Sequence, residues 1–315
     1  MGAMFNGLLF FPVTPYQADG DVDLHELAAH VSRGIEAGAG GVFAACGTGE
    51  FSALEPGEYE EVVRTAVRAA AGRVPVFAGA GGPVRTARRF ADLATGSGAD
   101  GILLLPPYLT EASGTGLVSY VREATREDLP AIVYNRANAR FDERSAVATA
   151  RLPQVIGFKD GAGDLDLMIR IVRAVRDEMV RDESQGHPFL FFNGTPTAEV
   201  TQRAYRAIGV PLYSSAVFAF APRIALAYYD ALESGDEATL DALERAFYHP
   251  LARLRAKGAG YAVSLVKAGV ELAGHSSGGV RPPLAPVAPE HREELARILA
   301  AGLAAVPDPL ASAAS

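Results

Sequence analysis

The chain has 315 residues, of which 49% are hydrophobic and 21% are charged, and its 37 acidic residues exceed its 29 basic ones to give a net charge of −8. Only three of the basic residues are lysines. This length allows one large domain or two ordinary ones. An acidic chain without a basic block excludes a nucleic-acid-binding surface, which needs clustered lysine or arginine, and favours small-molecule partners.

The single cysteine, Cys46, has no partner for an internal disulfide, so we predict a cytoplasmic protein. The apolar run at residues 8–13 follows no basic residue and is broken by prolines, which argues against a signal peptide. The most apolar long stretch, residues 216–229, contains Pro222 and Arg223 and is shorter than the ~20 residues of a spanning helix. We therefore expect no membrane association.

Short apolar runs typical of strands alternate along the chain with longer amphipathic segments typical of helices. The eight runs cover residues 8–11, 42–45, 74–77, 102–105, 131–134, 155–158, 189–192 and 210–213. Asp23 and Glu55-Pro56 begin two of the predicted helices, at residues 24–37 and 57–71. The pattern predicts parallel strands, buried on both faces and joined by crossover helices.

Eight such units favour a closed (β/α)8 barrel of the TIM type over a doubly wound sheet. A doubly wound sheet would carry a glycine-rich dinucleotide loop after its first strand, and the glycine-rich residues 79–82 are instead closed by Pro83. We predict a catalytic barrel over residues 1–234, a C-terminal helical extension over 235–304 with a loop at 274–283, and a disordered tail over 305–315.

Residues at the carboxyl ends of barrel strands form the active site in barrels of this type. Lys159 follows the sixth apolar run. It either pairs with Asp160 at the surface, or it is desolvated by apolar neighbours and attacks a carbonyl to form a Schiff base. The scarcity of lysine favours the second interpretation. Arginine supplies nearly all the other positive charges of this chain, but it cannot lose its proton, so a lysine at this position indicates a role that needs a neutral amine.

Tyr134 ends the neighbouring fifth run, so its hydroxyl is expected to reach the same cavity as Lys159 and to move protons there. The alternative is a core tyrosine bonded at the barrel rim. Gly47 and Thr48, after the second run, are candidates for binding a carboxylate through backbone N–H groups and a hydroxyl, although a plain turn has the same composition.

Other reactive side chains give weaker signals. Cys46 is rejected as a nucleophile because no histidine lies near it in sequence. The six histidines have no metal-ligand spacing, so no metal is predicted. Asn193 and Ser215 end two further strands and either bind substrate or cap a helix. Arg281 either neutralises a substrate carboxylate or lies on the surface.

These motifs together resemble the dihydrodipicolinate synthase and N-acetylneuraminate lyase superfamily, over about residues 5–304. The landmarks are the segments 12–15, 47–50, 134–135, 159–160 and 163–164 and the helical extension. Three features depart from the synthase pattern. Gly47 replaces a hydroxyl residue, and Leu109 replaces a tyrosine that synthases lend to a neighbouring subunit. The arginine that synthases place shortly after Tyr-Asn has no clean counterpart in residues 136–140.

The segments 134–136, 158–161, 193–199, 213–216 and 281–284 resemble the 5-dehydro-4-deoxyglucarate dehydratase branch. The resemblance implies a Schiff-base enzyme of sugar-acid catabolism that releases water and carbon dioxide, needs no cofactor and forms dimers or tetramers. Two alternatives remain open. One is an aldolase of the same superfamily, and the other is a barrel that binds sugar acids without turnover.

Overall fold

The structure is a computed structural model that describes residues 4–107, 110–181 and 189–307. Eight parallel strands close into a barrel in which each strand pairs with the next and the last pairs with the first. The strands are β1 (Leu9–Phe10), β2 (Gly41–Ala44), β3 (Val76–Ala80), β4 (Gly101–Leu104), β5 (Ala131–Asn135), β6 (Val155–Asp160), β7 (Leu190–Asn193) and β8 (Leu212–Ser215). The predicted barrel is confirmed.

Helices surround the barrel and continue past its last strand. They are α1 (Leu24–Glu36), α2 (Pro56–Ala70), α3 (Val84–Gly96), α4 (Gly114–Ala124), α5 (Glu143–Ala150), α6 (Leu165–Arg181), α7 (Glu199–Ala207), α8 (Pro222–Ser234), α9 (Glu237–Leu243), α10 (His249–Arg255), α11 (Tyr261–Leu272) and α12 (Pro289–Ala305). A π-helical segment, Glu244–Tyr248, joins α9 to α10 without a break.

Two predicted helix starts are confirmed by their caps. The Asp23 side chain accepts a hydrogen bond from the Glu26 N–H at the start of α1. Glu55 and Glu58 form a reciprocal capping box at the start of α2, with Pro56 in the first turn. Both caps satisfy N–H groups that have no partner within the helix, so local chemistry sets where these helices begin.

The strand boundaries differ from prediction by one to three residues. The largest shifts of a strand start are in β3 (Val76–Ala80) and β8 (Leu212–Ser215), which each begin two residues later than expected. A proline lies just before each strand, Pro75 and Pro211, and proline has no N–H with which to join a strand ladder. In the described chain, no helix is both long and apolar enough to cross a membrane.

Apolar side chains form an inner and an outer layer. The inner cluster fills the barrel with aromatic rings, including Phe11, Phe43 and Phe77. The largest outer cluster packs helices on strands and continues from α8 into the extension as far as Leu295 and Ile298. The predicted end of the barrel at residue 234 is the last residue of α8. Leu109 and residues 308–315 of the predicted tail lie outside the described residues.

Candidate active site

Lys159 lies inside the barrel, near the end of β6. It pairs in register with Tyr134 on β5 and Phe192 on β7, and paired residues of parallel strands face the same side. The side chain is 5% exposed, and its Nζ lies 4.1 Å from the centroid of the Phe11 ring. The pKa of this amine is lowered from 10.5 to about 7, chiefly by burial and with a smaller contribution from the charge of Arg136. A large fraction of Lys159 is therefore neutral at pH 7.

Asp160 faces the opposite side of β6, towards the helices. Its carboxylate accepts hydrogen bonds from Asn135 Nδ2 at 2.7 Å, from the Tyr205 hydroxyl at 2.5 Å and from two backbone amides of the following turn. Among the described residues, no carboxylate lies within ion-pairing distance of Lys159. The alternative interpretation, an ion pair between Lys159 and Asp160, does not fit this geometry.

The Tyr134 ring lies beside Lys159, and its hydroxyl is hydrogen-bonded at the rim of the barrel. It donates a hydrogen bond to the Gly194 carbonyl at 2.7 Å and accepts one from Arg136 Nη1 at 3.1 Å. Its ring centroid lies 4.7 Å from Lys159 Nζ. Burial raises the pKa of the phenol, so Tyr134 keeps its proton at neutral pH and is able to donate it.

The turn after β2 presents unused donors to the same space. In the described structure, the backbone N–H groups of Gly47 and Thr48 donate to no protein acceptor, and a Cβ on Gly47 would meet nothing within 4 Å. The buried Thr14 hydroxyl, just after β1, donates to the Gly49 carbonyl at 2.8 Å and fixes the turn. Two free N–H groups on a fixed turn are suited to bind a carboxylate.

A cavity of about 210 Å³ at the carboxyl end of the barrel brings these groups together. Lys159, Tyr134, Gly47 and Thr48 line it, so four of the seven predicted site residues share one pocket. The extension forms the opposite wall with residues of α10 and α11, among them Leu251, Arg255, Tyr261, Leu265 and Val266. Sequence reasoning did not predict that these helices enclose the site.

Asn193 points away from the pocket, towards α7. Its Nδ2 donates to the Ala198 carbonyl at 3.0 Å, to Thr201 Oγ1 at 3.0 Å and to Gln202 Oε1 at 3.1 Å. Its Oδ1 accepts from Thr195. The expectation that Asn193 binds substrate does not fit this placement, because its polar atoms are used in holding the loop between β7 and α7.

Ser215 also faces the helices, and its neighbour Ser214 faces the pocket. β8 pairs Ser214 with Leu9 of the inner cluster, whereas Ser215 pairs with Phe10 of the outer one. Ser215 Oγ donates to Glu199 Oε1 at 2.5 Å. Ser214 lines the cavity and takes the position that we had expected for Ser215.

Arg281 braces the extension against the barrel, outside the pocket. Its guanidinium donates to Glu58 and to the carbonyl oxygen of Ala53 at 2.8 Å, and it stacks 4.3 Å from the centroid of the Tyr16 ring. Its backbone N–H donates to Glu50 Oε2 at 3.0 Å. A guanidinium already paired with a carboxylate is unavailable to a substrate, so the expected contact does not fit this placement.

Cys46 lies in the inner cluster near Lys159. Burial raises the pKa of its thiol to about 12, which keeps it protonated and agrees with its rejection as a nucleophile. Within the part of the chain that the structure describes, no three His, Cys, Asp or Glu side chains group as metal ligands do. Two arginines, Arg136 and Arg255, line the pocket and were not among the predicted site residues.

Comparison with known proteins identifies the family of this chain and several relatives. The chain matches the model of the dihydrodipicolinate synthetase family over residues 4–302. A protein of Streptomyces coelicolor named probable 5-dehydro-4-deoxyglucarate dehydratase 1 is 56% identical over 298 residues, 94% of this chain and 93% of that protein. A Delftia acidovorans protein named probable 5-dehydro-4-deoxyglucarate dehydratase is 42% identical over 298 residues, 94% of this chain and 95% of that protein.

Solved structures have the same fold. The dihydrodipicolinate synthase of Bacillus clausii superposes with a TM-score of 0.84 at 25% identity, covering 94% of this chain and 97% of that one. The Thermotoga maritima enzyme of that name also gives a TM-score of 0.84, at 24% identity, covering 95% of this chain and 99% of the other. The family match spans nearly the whole chain, and this protein belongs to the dihydrodipicolinate synthetase family.

Proposed function

We propose that this protein dehydrates and decarboxylates 5-dehydro-4-deoxy-D-glucarate to 2,5-dioxopentanoate, carbon dioxide and water. The observation that carries the proposal is a buried lysine, free of any carboxylate partner among the described residues, in register with a buried tyrosine. The names of the relatives at 55% and 56% identity supply the substrate.

The first step is condensation of the neutral Lys159 amine with the ketone at carbon 5 of the substrate. The carboxylate at carbon 6 binds the free N–H groups of Gly47 and Thr48, and this holds the ketone towards Nζ. The carbinolamine loses water, with Tyr134 moving the protons, and leaves an iminium. The amine with a pKa of about 7 reacts readily at neutral pH, whereas an ordinary lysine is neutral in only about one molecule in 3,000.

The iminium then accepts electrons twice. Loss of the proton on carbon 4 gives an enamine, which expels the carbon 3 hydroxyl as water after protonation by Tyr134. The conjugated iminium next draws electrons from the bond between carbons 1 and 2, so the distal carboxylate leaves as carbon dioxide and an enol remains. Protonation at carbon 3 converts the enol to the aldehyde, and protonation at carbon 4 converts the remaining enamine back to an iminium. Water hydrolyses the imine and frees Lys159.

The decisive experiment combines product analysis with trapping of the lysine. We expect one equivalent of carbon dioxide and of 2,5-dioxopentanoate per substrate, and borohydride added during turnover is expected to attach mass to Lys159. Pyruvate and an aldehyde as products would instead identify an aldolase. An unmodified lysine at saturating substrate would contradict the Schiff base.

A substitution tests the same step. Lys159→Arg keeps a positive charge and is expected to abolish turnover, by at least about 10⁴-fold, because a guanidinium cannot act as the nucleophile. Lys257→Arg is the matched control, since Lys257 is a partly exposed lysine of the extension that pairs with Glu294. Circular dichroism should show both variants folded, and retained activity in Lys159→Arg would refute the mechanism.

We further propose that the protein acts as a cytoplasmic homo-oligomer, a dimer or a tetramer. This part of the proposal depends on the superfamily resemblance. Light scattering coupled to gel filtration measures the mass in solution, and a single peak near 33 kDa, the mass of one chain, would contradict it.

A further inference from the structure

Two arginines face the candidate pocket, and neither has an acidic partner among the residues that the structure describes. Arg136 follows β5 and Arg255 ends α10, and both line the cavity that holds Lys159. Arg136 donates to the Tyr134 hydroxyl, and Arg255 donates to the Thr197 hydroxyl in the loop after β7. Among the described residues, no carboxylate forms an ion pair with either.

Other cations between the extension and the barrel are paired. Lys267 Nζ forms an ion pair with Glu50 Oε1 at 2.6 Å, and Arg281 forms one with Glu58. Arg255 is half-buried, and the only acidic group among the described residues whose charge acts on its pKa is the buried Glu199, whose Oε1 accepts a hydrogen bond from Ser215. A partly desolvated guanidinium without a counter-ion is costly, and a bound anion removes that cost.

The two guanidinium groups also act on each other. Burial lowers the pKa of Arg255, and the positive charge of Arg136 lowers it further. Like charges that face one cavity repel, so an anion placed between them is attracted by both. Neither arginine can relieve the repulsion by losing its proton at neutral pH.

The two arginines and the turn with Gly47 and Thr48 lie on different sides of the barrel mouth. The turn with Gly47 and Thr48 follows β2, whereas Arg136 follows β5 and the loop that holds Arg255 follows β7. In a closed barrel of eight strands in order, β2 lies opposite β6, which carries Lys159 between β5 and β7. A ligand attached to Lys159 therefore meets N–H donors across the barrel and guanidinium groups on the near side.

We infer that Arg255, together with Arg136, binds the second carboxylate of the substrate, the one remote from the ketone, so that the pocket selects 2-oxo dicarboxylates over 2-oxo monocarboxylates. This inference rests on the proposed function, which places the ketone at Lys159. The planar fork of arginine matches a carboxylate with two parallel hydrogen bonds. The helical extension then takes part directly in substrate recognition.

The test compares two acids of equal length. 2-Oxoadipate carries a carboxylate at each end of a six-carbon chain, whereas 2-oxohexanoate carries only the one beside the ketone. Calorimetry measures the Kd of each for the wild type, Arg255→Gln and a control, Arg253→Gln, which changes an exposed arginine of the same helix. Borohydride trapping of each acid on Lys159 runs in parallel.

We expect the wild type and Arg253→Gln to bind 2-oxoadipate at least about 10-fold more tightly than 2-oxohexanoate. Arg255→Gln should lose most of this ratio while its Kd for 2-oxohexanoate stays within about 2-fold. Arg255→Lys keeps the charge without the fork and should give an intermediate ratio, so it serves if the glutamine variant fails to fold.

An unchanged ratio in Arg255→Gln, or no preference in the wild type, would overturn the inference. Failure to trap either acid on Lys159 while calorimetry still shows the preference would contradict the Schiff base of the proposed function and support the carboxylate site. Equal weakening of both acids in Arg255→Gln would indicate a structural role and also overturn the inference.

Discussion

The proposed chemistry of the site depends on the difference between an amine, at Lys159, and a guanidinium, at Arg136. Lys159 is buried among aromatic rings and has no carboxylate partner among the described residues, so the cost of desolvation appears as a lowered pKa. Arg136, which touches the Tyr134 hydroxyl, keeps its charge and lowers the pKa of the lysine further. The charge of Arg136 thus lowers the pKa of Lys159, a residue whose proposed role a guanidinium could not fill.

The pH dependence of kcat/KM should report this tuning. In the proposed mechanism the neutral amine of Lys159 is the nucleophile, so the rate should rise with pH through the pKa of about 7 and level above it. At pH 6 it should be about tenfold below the plateau. Arg136→Met removes a positive charge beside the amine and should move the midpoint to higher pH, whatever its effect on the plateau. Stopped assays from pH 5 to 11 measure both midpoints.

The outcome that contradicts this prediction is a midpoint near 10, the ordinary range of lysine. A midpoint that stays in place in Arg136→Met would show instead that the charge of Arg136 does not reach Lys159. The matched control is Arg140→Met, which removes an exposed arginine whose guanidinium donates to the local Ala137 carbonyl at 2.8 Å, and this variant should keep the wild-type midpoint.

Sequence could locate Lys159 and Tyr134, but it could not decide between Ser214 and Ser215. Strands of this barrel are buried on both faces, so no alternation of polar and apolar residues shows which side chains point inward. The start of β8 after Pro211 sets that alternation, and one residue of error reverses it. For Asn193 the same reversal decides between a substrate contact and a loop brace.

At the scale of elements, the loop after β7 determines the shape of the pocket. The carbonyl oxygen of Gly194 accepts a hydrogen bond from the Tyr134 hydroxyl. The side chain of Lys159 packs directly against Gly194. A Cβ added at Gly194 would lie 2.5 Å from Lys159 Cε and 2.8 Å from Tyr134 Cε2, both below any normal contact distance. The loop is therefore packed against the two reactive side chains as well as hydrogen-bonded to one of them.

Gly194→Ala should lower kcat by at least about 10²-fold, because displacement of the lysine by even 1 Å spoils the geometry of attack. The fold should persist with some loss of stability, since the three nearest atoms, Lys159 Cε and Cγ and Tyr134 Cε2, belong to side chains and not to the backbone. Gly57→Ala is the control, because a Cβ at Gly57 would meet nothing within 4 Å. Steady-state assays and thermal melts measure both effects, and wild-type kcat in Gly194→Ala would show that the contact does not position Lys159.

Elements were predicted more reliably than the contacts between them. The caps at Asp23 and Glu55 are local signals, and the sequence therefore predicts where α1 and α2 begin. The docking of α10 and α11 over the barrel mouth depends on long-range packing that no local pattern encodes. Arg255 was missed for this reason, since nothing in its own helix marks it as part of the site.

At the scale of the whole molecule, a buried ionic network joins the extension to the turn that offers free N–H groups. Lys267 on α11 is 1% exposed, meets Glu50 at 2.6 Å, donates to the Gly279 carbonyl and lies 3.9 Å from the centroid of the Tyr16 ring. Glu50 ends the turn with a φ of 54°, a left-handed conformation that costs energy for a residue with a side chain. The extension thus holds the turn in a strained shape.

Lys267→Met should lower the free energy of unfolding by about 3–5 kcal/mol, because it leaves the Glu50 carboxylate buried without its partner. It should also raise KM more than it lowers kcat, since the turn is the proposed binding site of the substrate carboxylate while Lys159 stays in place. Urea denaturation and steady-state kinetics measure the two effects. Lys257→Met, which breaks a partly exposed pair, should cost less than about 1 kcal/mol.

The double variant Glu50→Gln with Lys267→Met separates the charge from the packing. If the cost of the single change is an uncompensated carboxylate, removing that charge as well should restore part of the lost stability, as it does when buried pairs are replaced together. The strained turn would still lack its anchor, so KM should stay raised. A loss below about 1 kcal/mol in Lys267→Met, or a KM that returns to normal in the double variant, would contradict a network that positions the turn from the extension.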